Sequence, residues 1–81
     1  MLTSEQLRAA RTMLRVEQVD VVESVPGLTM PTLRRWEGAS GPIRGAYGTV
    51  AELQSFYEQR GIIFIPGNGE GPGVRLKKTA V

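Results

Sequence analysis

Arg34 and Arg35 stand side by side in GLTMPTLRRWE, residues 27–37. A guanidinium is a planar fork of N–H donors that matches phosphate oxygens and the O6/N7 edge of guanine. The same stretch holds Thr29, Pro31 and the chain's only tryptophan, Trp36. Other chemistry is sparse. No cysteine and no histidine occur, which excludes disulfides, thiolate zinc sites, cysteine nucleophiles and imidazole bases. Eight carboxylates are present, but none form a pair in a recognisable catalytic motif, so we expect no enzyme, no metal and no cofactor. The segment GNGEGPG looks like a phosphate-cradling loop but lacks the lysine and following helix such a loop requires, and no small-molecule ligand is expected.

The composition fits one small domain with a thin core: 81 residues, 41% hydrophobic and 22% charged. A net charge of +2 permits polyanion binding without requiring it. The N-terminal MLTSEQLRAAR turns polar at once, and the longest aliphatic or aromatic run is only Ile62 to Ile65. A cytoplasmic location and no membrane partner are the expectation.

Several elements must position the arginines. Thr3 and Gln6 have capping-box spacing, and Leu7, Ala10, Met13 and Leu14 recur at helical intervals, predicting a helix over 4–14. In VEQVDVVESV, Val16, Val19, Val22 and Val25 fall at i+3 spacing, while five valines in ten residues favour a strand by propensity. We read a helix with a buried valine stripe, because packing between two better helices overrides a weak propensity. PGL breaks the chain, Thr29 caps a helix over 30–37 with Pro31 in its first turn, and Gly38 ends it. GASGPIRGAYG, residues 38–48, reads as a connector. Thr49 with Glu52 suggests a second capping box, opening a fourth helix whose Val50, Leu53, Phe56 and Tyr57 form an apolar face ending at Gly61. IIFI and the alternating VRLKK, on either side of a turn-rich loop, predict a C-terminal hairpin. Leu14, Val22, Leu33, Trp36, Leu53 and Phe56 are the expected core.

On the helix over 30–37, Met30 lies beside Arg34 and Pro31 beside Arg35, with Leu33 and Trp36 opposite. One side anchors and the other is cationic. A short helix held by its inner face against a preceding helix, with a glycine in the turn, is a helix-turn-helix arrangement. A pair of solvated surface arginines is the plainer alternative.

The order LRAARTMLRVEQ then PGLTMPTLRRWEG resembles the Cro and phage-repressor-like helix-turn-helix family, over roughly residues 2–61. The resemblance implies a mainly α fold, a four- to five-helix bundle, here with a C-terminal β-hairpin. It implies a DNA-binding transcriptional regulator with double-stranded DNA as partner. By the match Gln18 contacts the DNA backbone, Thr29 opens the recognition helix, Met30, Pro31 and Arg35 face bases, and Thr32 and Arg34 lie near phosphates. It also pairs Arg11 with Glu37 as a buried structural ion pair. Arg44 in the connector is either a phosphate contact or simply hydrated. Two departures stand out: one extra residue before Gly27, involving Pro26, and Val21-Val22 where the family has Leu-Ala.

This divides the chain into a DNA-binding unit over 1–61 and a hairpin with tail over 62–81. IIFI shows no polar alternation, as though both faces and an edge were covered. Ile62, Ile63, Phe64, Ile65, Val74 and Leu76 are therefore expected at a homodimer interface, giving a dimer on a palindromic operator; the other option is a hairpin folded over its own fourth helix. The competing function is a protein-interaction module or antiactivator on the same scaffold, favoured by Met30 and Pro31, whose side chains donate no hydrogen bonds.

Overall fold

The computed structural model describes residues 2–67 and 69–78; the tail over 79–81 lies outside the described residues. The chain is mainly α. Helices α1 (Ser4–Leu14), α2 (Gln18–Ser24), α3 (Met30–Gly38) and α4 (Tyr47–Glu58) precede an antiparallel hairpin of β1 (Ile62–Ile65) and β2 (Gly73–Leu76). Four helices, not five, occur among the described residues. None is long and apolar enough to cross a membrane.

Helix α1 starts at a reciprocal cap: Gln6 N–H donates to Thr3 Oγ1 at 3.1 Å, and Thr3 N–H to Gln6 Oε1 at 3.0 Å. It buries Leu7 and Ala10 and stops where Arg15 turns left-handed, φ 58°. Helix α2 is shorter than the 16–25 expected, with Glu17 and Asp20 capping each other at its start. The buried valines are Val21 and Val25, four apart, rather than the i+3 stripe; Val19 is 48% exposed and Val22 only half-buried. At 3.6 residues per turn, an i+3 series slips backwards by about 60° per step and walks off the buried face.

The α2–α3 turn needs Gly27, whose φ is +81°. Any Cβ there would also press on the Thr49 hydroxyl. This explains a correction at α4. That helix begins two residues before Thr49, with Ala46 supplying the first acceptor and no side-chain cap. Thr49 faces the turn between α2 and α3, so its hydroxyl does not close a capping box with Glu52.

Leu7, Val21, Leu33, Trp36, Leu53, Phe56 and Tyr57 are buried in one core, joined by Ile43 from the connector and Ile62 from β1. Leu14 and Val22, expected in that core, lie at its margin and are only partly buried. The connector is more ordered than its glycines suggest: Ser4 N–H donates to Gly41 O at 2.9 Å and Ile43 N–H to Leu2 O at 3.0 Å, bridging it to the N-terminal segment.

In the hairpin, Ile62 opposes Leu76 and Phe64 opposes Val74 on one face, with Ile63 opposite Arg75 on the other. The first face lies on the chain's own α1 and α4, with Phe64 edge-on to Tyr57 at 6.1 Å between ring centroids. Gln6 ties the far end down, its Nε2 donating to Ile65 O at 3.0 Å and Gly73 O at 2.9 Å. The expectation of two covered faces fails for this chain alone: Ile62 is buried but Ile63 is 39% exposed. Strand β2 also stops at Leu76, leaving Lys77 and Lys78 beyond it.

Candidate nucleic-acid interface

Helix α3 is fixed at its start, along its inner side and at its end. Thr29 caps it, its Oγ1 accepting from Thr32 N–H at 3.4 Å and donating to Thr32 Oγ1 at 3.0 Å, with Pro31 in the first turn. Leu33 and Trp36 bury completely or nearly so. Transfer from water stabilises each by roughly 1.5–3 kcal/mol. At the far end the Arg8 guanidinium donates to the carbonyls of Glu37 and Ala39, placing positive charge where the helix dipole is negative.

Beneath α3 lies a buried carboxylate. Arg11 Nε donates to Glu37 Oε1 at 3.0 Å and Oε2 at 2.9 Å, and Gln18 Nε2 donates to Oε1 at 3.1 Å. Arg11 also reaches Val16 O, tying α1, the α1–α2 link and α3 together. The Glu37 hydrogen bond raises the Arg11 pKa above its ordinary value. Burial pushes the Tyr57 phenol well above its usual range, and the negative charge of Glu37 adds to the effect. A buried charge this well partnered holds geometry more than it adds stability.

The outer side is different. Arg34 and Arg35 are exposed, and among the described residues the ion pairs are Arg8 with Glu5 and Arg11 with Glu37. Pro31 is exposed, while Met30 and Thr32 are half-buried. Thr29, Pro31, Arg34 and Arg35 thus form one exposed, net-positive surface on a rigid helix. Gln18 is half-buried and gives one N–H of its side-chain amide to Glu37, the second N–H remaining available.

Two features were invisible in the sequence. Trp36 Nε1–H donates to Arg44 O at 2.8 Å, and the backbone at Gly45 lies so close to the indole that no Cβ fits. Trp36 therefore clamps the connector to α3 and holds exposed Arg44 nearby. Beyond it Tyr47 is 87% exposed, the most exposed large apolar side chain of the described residues. No local signal marks either feature, since both depend on how the connector returns to α3. Comparison with family models, curated proteins and solved structures finds no match to this chain.

Proposed function

We propose that this protein is a sequence-specific DNA-binding transcriptional regulator of the helix-turn-helix kind, similar to the Cro and phage-repressor-like family, with α3 entering the major groove. The observation that carries the reading is the exposed pair Arg34 and Arg35 on a capped helix immobilised by Leu33, Trp36 and the Glu37 network. Rigid presentation of guanidinium forks suits bidentate contact with guanine or phosphate. The turn at Gly27 and the packing of α2 against α3 support it further. On this reading Arg35 and Pro31 face bases, whereas Thr29, Thr32 and Arg34 lie at the sugar-phosphate backbone. Two copies act together on a site with two-fold symmetry.

A gel shift with the DNA immediately upstream of the protein's own gene tests the reading, run against unrelated DNA of equal length. Retention of the upstream fragment at salt that releases the unrelated one is the expected result. Equal retention of both would remove sequence specificity from the proposal. A second reading, a protein-interaction module on the same scaffold, draws on α2, whose exposed Glu17, Asp20 and Glu23 meet no basic residue on that helix.

A further inference from the structure

We propose that a cleft between the end of α1, the end of α4 and the segment leaving β2 receives helix α2 of a second copy of this chain. Nothing on α3 takes part, so the contact is separate from the proposed recognition surface and requires no DNA.

The cleft holds about 660 Å³. Leu14 and Leu76 give it an apolar lining, Arg60, Lys77 and Lys78 line it with positive charge, and no carboxylate lines it. Leu76 is 45% exposed, which leaves the apolar part open to a partner. Backbone contacts bring the cations together. Gly61 turns the chain out of α4 with a φ of +95°, and Lys77 N–H donates to Gly61 O at 2.6 Å, drawing the segment after β2 against the end of α4. Arg60 is held there too, its Nη1 donating to Phe56 O at 3.0 Å and its guanidinium lying 3.7 Å from the centre of the Phe56 ring. Among the described residues none of the three cations pairs with a carboxylate. Like charges gathered in this way repel, and an anionic partner relieves that cost.

The same chain carries a matching partner. On α2 and its cap Glu17, Asp20 and Glu23 are exposed, with no ion pair among the described residues. Val21 and Val25 face the core, so at 3.6 residues per turn Val19, Asp20 and Glu23 share the outward side, where Val19 is 48% exposed. An apolar side chain flanked by carboxylates thus matches an apolar cleft flanked by cations. Val19 meets Leu14 and Leu76, while Asp20 and Glu23 turn toward Arg60, Lys77 and Lys78. No residue of α2 lines the cleft of its own chain, so the match is met between copies. Exposed charge pairs are weak and screened by salt, which sets this contact apart from an apolar one through the hairpin.

Sedimentation velocity of the DNA-free full chain tests the contact at about 50 and 500 mM salt, a range over which screening of exposed charges rises steeply. The parent should form larger species at the lower salt than at the higher. Val19→Lys with Glu23→Lys in one protein, and Lys77→Glu with Lys78→Glu in another, alter exposed side chains only. Each protein should keep the parent's helical circular dichroism and lose the low-salt species. An equal mixture of the two should recover part of it, because every unlike pair keeps one unaltered α2 facing one unaltered cleft. Sizes that ignore salt, reversals that leave association unchanged, or a mixture no larger than either variant alone would overturn the proposal. So would parent chains that stay apart at low salt while decanoate shifts the amide resonances of Gly61 and Leu76; the cleft would then belong to a small amphiphilic anion.

Discussion

Arg34 and Arg35 are neighbours on one helix, yet they face different parts of a duplex on the proposed reading. A guanidinium over a base edge discriminates sequence, whereas one over a phosphate contributes attraction alone. Arg35→Ala is therefore expected to cost about 1–3 kcal/mol and relax preference at one base pair, while Arg34→Ala weakens all sequences alike and flattens the salt slope. Binding titrations on a set of single-base variants of the target check both; parent-like binding by both proteins would refute the assignment of α3. Tyr57 offers a test of the core. Its hydroxyl is buried and has no hydrogen-bond partner among the described residues. Removing an unpartnered buried hydroxyl relieves a desolvation cost of order 1–3 kcal/mol, so Tyr57→Phe should melt at the same temperature as the parent or higher at neutral pH. The pH dependence follows in sign. The folded state holds the phenol proton more tightly than the unfolded chain, so this contribution is fully present below the unfolded value near ~10 and is lost as pH rises beyond it. The parent should lose stability in that alkaline range by more than Tyr57→Phe does. A phenylalanine variant that melts well below the parent at neutral pH would show that the hydroxyl has a partner in solution.

Among the elements, α1 does the most joining. Its Gln6 closes the N-terminal cap and also grips both strands of the hairpin, while Arg8 and Arg11 reach the end of α3. Gln6→Ala removes a capping bond and both hairpin bonds and should cost roughly 1–3 kcal/mol. Hydrogen exchange locates the effect: amides of β1 and β2 should lose protection before those of α3 and α4. Uniform loss across the chain would mean that the hairpin and helices unfold as one unit. Helix α3 depends on Trp36 in two ways, as core filler and as clamp on the connector. Trp36→Ala should destabilise by about 3–5 kcal/mol, a large share of what a small domain has. Denaturant titration measures it, and a loss under 1 kcal/mol would contradict the packing around the indole.

At the scale of the whole molecule, the proposed function requires a second copy of the chain. The protein is a slab 33 Å along its two longer axes and 20 Å thick. On the proposed reading two copies present their α3 helices to successive major grooves, roughly 34 Å apart. The outward face of the hairpin, with Ile63 39% exposed, is the proposed contact. Truncation after Gly61 would also strip Ile62 from the core, so a surface change is the cleaner probe. Ile63→Lys should leave the fold intact, shift sedimentation from two chains to one and sharply reduce affinity for a palindromic site relative to a half-site. A variant that still sediments as two chains would place the interface elsewhere.

What the sequence determined by itself was local. The cap at Thr3 and Gln6, the start of α3 at Thr29 and Pro31, and the four-residue run of β1 each follow from contacts within a few residues, where chain order and side-chain chemistry suffice. The pairing of Arg11 with Glu37 was legible only through a resemblance of the sequence to the helix-turn-helix family, not from the spacing of the two residues. Tertiary structure decided the rest, because its causes lie far apart in the chain. Thr49 reads as a cap until the turn at Gly27 comes to rest against it, and α4 then starts earlier. Which valines of α2 are buried depends on where α3 and α4 press, not on the spacing of valines alone. One amide N–H of Gln18 goes to a carboxylate 19 positions away, and Trp36 meets the Arg44 carbonyl in a connector that is also hydrogen-bonded to the N-terminal segment. Spacing along a chain specifies a helix face, but the neighbours that meet that face are set by the packing of the other elements.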